Sequence, residues 1–410
     1  MKKYMILNKF YTPEYGEYDI TLINFEKENY FSLSGSKCST LKSWLKGGCI
    51  DTDSLTTEEA ALYSFLKENN IAEFEDKFYV SESFDVGKKL VLYNEKKCPL
   101  NRVFLQLENE NEENRFGSIT SPCWVCCNNN AVNVSDEKRY TRLIEELAAN
   151  RVHQVVLYGG DVLGNPSAGV FMKTADESYI QLCIIADENG ITEENAKLAA
   201  EYDTTLIVTV DCRSNVDTER INALTERLNG YNVSFKYSVV ISSETASAYK
   251  AAEEKIISAG AEIVNASYVM EDNISETELS EICLLNTINL NEYKIYSTMN
   301  TCMAGTLAIN SELNLMPCPG IRNMPLGQLR YENDEFTFVK ADAEYRLADF
   351  WLSGKKFLKE CSKCSRRNLC MDCRAAERYY QTADTGRFAK RECLYMKNCR
   401  DSYKKTVKEV

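Results

Sequence analysis

Residues 153–163 read HQVVLYGGDVL: a polar start, four apolar residues, then two glycines and an aspartate. An apolar run this short, stopped by glycines, is the pattern of a strand buried on both faces. The stretch before it, EKRYTRLIEELAANRV (137–152), has the spacing of an amphipathic helix. The same alternation continues downstream. YIQLCIIA (179–186), TTLIVTVD (204–211), VSFKYSVVIS (233–242) and EIVNASYVM (262–270) read as strands. TEENAKLAAEYD (192–203), NVDTERINALTERLNG (215–230) and TASAYKAAEEKIISAG (245–260) read as the helices between them. Upstream, RFGSITS (115–121) reads as a strand leading into SPCWVCCNNN (121–130). Strands alternating with helices predict an α/β fold of parallel strands, closed fully or partly into a barrel of six β/α units. In such folds the chemistry sits at the C-terminal ends of the strands. Both SPCWVCC and Gly159-Gly160-Asp161 follow predicted strands, so both are expected at that mouth.

The chain has 410 residues, 44% hydrophobic and 27% charged, with net charge −13. That length allows two or three domains and a sizeable core. No apolar run of roughly 18 residues predicts a membrane span, and the start lacks a signal-peptide pattern. A cytoplasmic protein is the expectation. The chain holds 17 cysteines and one histidine, His153. An odd, high cysteine count in a reducing compartment points to metal, cluster or redox chemistry. A single histidine, expected at a helix-to-strand junction, argues against His-rich metal sites and Ser/His or Cys/His catalysis.

Residues 1–95 read as a separate α+β unit. YDITLINF and ENYFSLSG read as strands, and CSTLKSWLKGG as a helix stopped by glycines. LTTEEAALYSFLKENNIAEF reads as a helix followed by a strand. Thr56 and Glu59 form a capping-box pattern, and Leu62, Phe65 and Leu66 an apolar stripe. Two readings of this unit stand: a winged-helix peptide-recognition domain, or an accessory cap. Residues 96–298 would form the barrel and 299–410 a cysteine-rich domain.

The densest chemistry is C-terminal. Cys302 and Cys318 precede CSKCSRRNLCMDC, which holds Cys361, Cys364, Cys370 and Cys373 with C-x2-C-x5-C-x2-C spacing; Cys393 and Cys399 follow. Two thiolates two residues apart grip one metal or one cluster edge from a tight turn. A zinc site on two knuckles is the simpler alternative, but zinc ribbons separate their knuckles further. The short gap and the distant cysteines favour an iron–sulfur cluster. From residue 355 on, 16 Lys and Arg face 7 Asp and Glu. This basic excess favours thiolates, and nucleic-acid binding by a zinc-stabilised protein is the weaker explanation.

These residues carry a resemblance. CMAGTLAINSELNLMPCPG (302–320), PLGQL (325–329), ADFWLSGKKF (348–357) and the cysteine run are similar to the SPASM domain of radical SAM proteins. Cys302, Ala304, Gly305, Pro317, Cys318, Leu326, Gly327 and Trp351 match its pattern. Leu313 stands where the family's hairpin has glycine, and the interval to Cys373 is one residue short. By position, the resemblance implies one auxiliary [4Fe–4S] cluster on Cys361, Cys364, Cys370 and Cys393. Cys302, Cys318 and Cys373 would belong to a second. It also implies a partial (β/α)6 barrel with a cluster-binding C-x3-C-x2-C after the first strand, and S-adenosylmethionine on the open iron. Gly159-Gly160-Asp161 resembles the segment whose backbone meets the amine of that cofactor. The N-terminal unit resembles, in order and length, the PqqD-like domains that open many peptide-modifying enzymes.

Aligned on the core motif, Cys123 and Cys127 take the first two ligand positions, and Asn130 takes the third. An amide oxygen is a hard, weak ligand for an iron–sulfide cluster. Cys126 is the alternative third thiolate, although neighbouring cysteines do not reproduce a C-x2-C turn. Buried thiols kept for packing are the bland reading. The resemblance with this departure implies a pseudoenzyme that binds a precursor peptide or partners an intact radical SAM enzyme in peptide maturation. The alternative is an active radical SAM maturase with an unusual ligand set. No membrane or nucleic-acid partner is expected.

Overall fold

The structure is a computed structural model. It describes residues 1–79, 100–107, 136–268, 293, 297, 299–300, 302–321, 324–341, 346–358, 361–369 and 400. In the N-terminal unit, β1 (Lys2–Leu7), β5 (Ile50–Asp51) and β6 (Ala72–Glu75) form one antiparallel sheet. A second antiparallel sheet holds β2 (Tyr11–Tyr15), β3 (Asp19–Asn24) and β4 (Asn29–Ser34). Helices α1 (Gly35–Leu45) and α2 (Thr57–Glu68) pack on them. The core is Ile20, Leu22, Leu41, Trp44, Leu62 and Leu66, with Phe65 edge-on to Phe31. The Thr56–Glu59 capping box forms as its spacing predicts, satisfying two amides that a helix start leaves unpaired.

The larger unit is a ten-stranded sheet in the order β12-β11-β10-β9-β8-β7-β13-β14-β15-β16. Its strands are β7 (Arg102–Gln106), β8 (Gln154–Tyr158), β9 (Gln181–Asp187), β10 (Thr205–Asp211), β11 (Phe235–Ile241), β12 (Ile263–Tyr268), β13 (Thr306–Ile309), β14 (Asn314–Met316), β15 (Gly327–Glu332) and β16 (Glu335–Lys340). Strands β7 to β12 lie side by side in chain order and are all parallel. Between them run α3 (Glu137–Ala149), α4 (Ala168–Glu177), α5 (Glu193–Glu201), α6 (Thr218–Gly230) and α7 (Ser243–Ser258). Strand β13 adds in parallel to the far side of β7, and β14 to β16 continue antiparallel. The fold is thus α/β with a large parallel sheet.

The sequence reading did not anticipate β1, β2, β15 or β16, and two further details differ. The strand that opens the parallel run is β7, earlier than RFGSITS, which lies outside the described residues. Helix α4 was not expected, because Pro166 and Gly169 mask its start.

Alternation along the strands gives the sheet two different faces. Val103, Leu105, Val155, Leu157, Leu182, Ile184, Leu206 and Val208 meet the helices in one continuous core. Phe104, Val156, Tyr158, Cys183, Ile185 and Ile207 cluster on the other face with Ala308 and Met316. Burial on both faces explains why these strands read as unbroken apolar runs.

Cys183 and Cys212 are buried within this unit, and burial pushes both thiols up to about 11 from an ordinary 9.0. Both pack among apolar side chains of the core. For a group raised in the folded state, stability is full below the unfolded value and falls as pH climbs through the folded one. Stability should therefore drop between pH 9 and about 11, by about 2–3 kcal/mol for Cys183 once fully ionised. The double variant Cys183→Ala, Cys212→Ala should show, over that range, a flatter loss of the urea midpoint for the transition that exposes this sheet.

Among the described residues, no helix is long and apolar enough to cross a membrane.

Candidate functional site

The C-terminal ends of the parallel strands carry the first cluster of polar groups. Gly159 and Gly160 follow β8 directly, with φ of 95° and 76°, in the region that side chains disfavour. Both are buried. The turn closes with Val162 N–H donating to Gly160 O at 3.1 Å. Asp161 Oδ1 accepts the Gly164 N–H at 2.9 Å, so this carboxylate braces its own loop. It also lies beside Gly190 after β9, where an added Cβ would stand 3.4 Å from Asp161 Oδ1.

On the face away from the helices, this end carries polar side chains that the sequence reading missed. Gln106 is fully buried, two residues beyond Phe104 and paired in register with Tyr158. Among the described residues, neither amide atom of Gln106 has a hydrogen-bond partner. Thr209, two residues beyond Ile207, is in register with Asp187 and with Ser238, and both Thr209 and Ser238 are buried. The available signal was a polar residue placed in phase with the apolar ones near the end of each strand. At the rim, Glu188 pairs with Arg220 Nη1 at 3.2 Å. Burial raises the Glu188 carboxyl above its usual range, and Arg220 opposes this. Arg213 hydrogen bonds hold the Asp211 carboxyl below its usual range.

His153 is exposed at the opposite, N-terminal end of β8, where its backbone joins Asn101 and Gln181. This is the helix-to-strand junction expected from the sequence.

The C-terminal frame is built on a small core. Met303, Cys318, Ile321, Met324, Phe350 and Trp351 pack together, the last two from α8 (Leu347–Trp351). Trp351 Nε1–H donates to Thr306 O at 2.9 Å, and Asn300 N–H donates to Trp351 O at 2.8 Å. Cys302 is half-buried beside Gly305, whose φ is 69° and whose carbonyl accepts the N–H groups of Asn101 and Arg102 at 2.8 and 2.9 Å. The CMAG segment is thereby stitched to the start of β7. Gly327 leaves room for β16, since a Cβ there would lie 2.4 Å from Phe338 and 2.7 Å from Val339 O. Leu313, standing at the glycine-like hairpin position, adopts φ 64° while its side chain is buried.

Cys361 and Cys364 are buried thiols on one tight turn. Cys361–Lys363 forms a 3-10 turn, and Cys364 N–H donates to Cys361 O at 3.0 Å. Arg366 N–H points at Cys364 Sγ at 3.3 Å. An amide aimed at sulfur stabilises a thiolate, as in cluster-binding loops. This donor pair on a closed turn fits a thiolate-ligated cluster. Cys123, Cys126, Cys127, Asn130, Cys370, Cys373, Cys393 and Cys399 lie outside the described residues. Among the described residues, no three His, Cys, Asp or Glu side chains come together as a metal site. Each implied auxiliary set contributes two cysteines there, Cys302 with Cys318 and Cys361 with Cys364.

The N-terminal unit docks on this turn, which the sequence did not reveal. Asp19, fully buried, accepts the Ser365 N–H at 3.1 Å and the Ser365 hydroxyl at 2.6 Å. Glu17 N–H donates to Lys363 O at 2.6 Å, and Lys363 Nζ meets Glu17 Oε2 at 2.6 Å. Arg367 Nη2 meets Glu14 at 3.0 Å. Ile23, Phe25, Tyr293 and Leu369 form an apolar patch in the same junction.

No protein-family model and no curated protein matches the chain. Among solved structures, it is similar to SuiB of Streptococcus suis bound to S-adenosylmethionine, at 12% identity and TM-score 0.40, over 95% of this chain and 99% of that one. SuiB bound to its precursor peptide SuiA gives 11% and 0.41 over the same shares. The enzyme anSMEcpe with bound AdoMet and the Kp18Cys peptide gives 13% and 0.46, over 75% of this chain and 97% of that one.

Proposed function

We propose that the chain is an iron–sulfur protein of the radical SAM/SPASM type. It works in the maturation of a ribosomally made peptide as a pseudoenzyme that binds the precursor or partners an intact radical SAM enzyme. The single observation that carries the reading is the closed Cys361–Cys364 turn, with an amide aimed at the Cys364 sulfur. It stands in a frame whose Cys302, Gly305, Cys318, Gly327 and Trp351 recur at the spacing of the resemblance. Cys361 and Cys364, with Cys370 and Cys393, would hold an auxiliary [4Fe–4S] cluster. Cys302, Cys318 and Cys373 would serve a second. Residues 1–95 would be the peptide-recognition domain, 96–298 a partial (β/α)6 barrel and 299–410 the SPASM-like domain. When bound, an auxiliary cluster supplies electron transfer or a binding site for substrate. This chain's own residues exclude water from the thiolates and fix their turn.

The pseudoenzyme reading is supported by Asn130, a hard ligand where the core cluster needs a third thiolate. One observation favours the active alternative. The positive-φ backbone at Gly159 and Gly160 is kept, and it is the part of the mouth suited to the amine of S-adenosylmethionine.

The deciding experiment is anaerobic reconstitution, then dithionite and S-adenosylmethionine. The pseudoenzyme forms no 5′-deoxyadenosine. Formation of that product, lost in Cys123→Ala with Cys127→Ala, establishes the active alternative.

A further inference from the structure

The polar contacts between the N-terminal sheet and the C-terminal turn fall on residues 363 to 367, on both sides of Cys364. Three of them, linked through Ser32 and Thr21 within the sheet, form one chain. Arg366 Nε lies 2.8 Å from Ser32 Oγ, which is 2.8 Å from Thr21 Oγ1. Thr21 Oγ1 is 2.6 Å from Ser365 Oγ, which is 2.6 Å from Asp19 Oδ2. Arginine only donates and a carboxylate only accepts. The hydroxyl hydrogens of Ser32, Thr21 and Ser365 must therefore all point toward Asp19. The residue that starts the chain is also the one whose backbone amide meets Cys364 Sγ. Its guanidinium lies 5.6 Å from the centre of the Tyr30 ring, a second hold from the same sheet.

We propose that Asp19 is a positioning residue for the Cys364 thiolate. The N-terminal unit, besides any peptide it binds, forms a wall of the auxiliary cluster site and holds its ligand turn through this one-directional chain. The inference rests on the reading of Cys361 and Cys364 as cluster ligands. Without the carboxylate, the chain has no terminal acceptor, and buried hydroxyls lose the partner that orients them. The Ser365 and Arg366 amides are then held less firmly, and the N–H donor to sulfur is lost part of the time.

The test uses full-length chains. Hydrogen exchange over 361–369 is measured in the metal-free form, and iron and sulfide per chain after anaerobic reconstitution. Asp19→Ala is expected to speed exchange at Ser365 and Arg366 by about tenfold or more, the factor a lost hydrogen bond to a charged group implies. Protection of α2 should not change. The same variant should retain less iron, and Asp19→Asn, which keeps an acceptor oxygen, should recover most of it. Wild-type exchange or wild-type iron in Asp19→Ala overturns the inference. A wild-type chain that takes up no iron contradicts the cluster reading, and this inference with it. A wild-type chain that does, matched by Asp19→Ala, contradicts this inference alone. Should Asp19→Ala also strip protection from α2, Ser365→Ala decides, since it removes only the hydroxyl in the chain. Faster exchange of the Arg366 amide then supports the inference, and unchanged exchange overturns it.

Discussion

Gly16→Ala should loosen the N-terminal sheet from the cysteine turn. A Cβ at Gly16 would lie 1.7 Å from Asp19 Oδ1, 2.7 Å from Lys363 O and 2.7 Å from Ser365 N. Two of these are backbone atoms, so no rotamer change relieves the clash. The Gly16 N–H already donates to Asp19 O at 3.0 Å, which fixes the loop against moving away. Overpacking of this kind costs about 1–3 kcal/mol. A chain of this size is not expected to unfold as one unit, so the readout is local: faster amide exchange at Lys363 to Arg366. Gly230→Ala is the control. Nothing lies within 4 Å of a Cβ there, and the residue ends α6, so the change should be neutral or slightly stabilising.

Trp351→Ala should have the largest effect on the C-terminal frame. Among the described residues the ring is buried against five others of a small core, with Leu100, Leu326 and Leu347 at its edge, and its Nε1–H is the donor to Thr306 O. Removing a buried tryptophan costs about 3–5 kcal/mol. Little other apolar contact is present to absorb it. Cys318 is buried in that core. In the metal-free variant its thiol should therefore react with a maleimide far faster than in wild type. Trp351→Phe keeps most of the packing but leaves the Thr306 carbonyl without its donor, a cost of about 1–3 kcal/mol, and should fall between the two. Equal Cys318 reactivity in all three chains would show that the tryptophan does not hold this frame.

The parts of the fold legible in the sequence are those whose burial is symmetric. Strands β8 to β11 are buried over most of their length on both faces, so their residues form runs that need no context to read. Strand β7 is as deeply buried, but its five residues stand between polar segments and lacked a neighbouring signal. Strand β2 carries Pro13, which argues against a central strand and is tolerated here because β2 lies at a sheet edge. The glycines of the β8 loop were recognisable by their place directly after a predicted strand and by the resemblance, and the structure holds both at positive φ. The departure at Leu313 marked a position whose left-handed backbone the structure retains without glycine. What was not legible is the docking of Asp19 on Ser365. The partners are 346 residues apart, and neither residue type suggests a ligand turn by itself. The polar end of the parallel sheet was hidden for a related reason. Gln106, Thr209 and Ser238 gain meaning only when the register sets them on one face.

Under the proposed function the C-terminal cysteines, and not the degenerate stretch at Cys123 to Asn130, bind an iron–sulfur cluster. Iron and acid-labile sulfide per chain, counted after anaerobic reconstitution, separate the two sites. The triple variant Cys123→Ala, Cys126→Ala, Cys127→Ala should keep the wild-type content, at least about four of each, the content of one [4Fe–4S] cluster. Cys361→Ala with Cys364→Ala should lose about four of each, one cluster's worth. A colourless wild-type chain holding only zinc, or a triple variant that loses all its iron, would contradict the account.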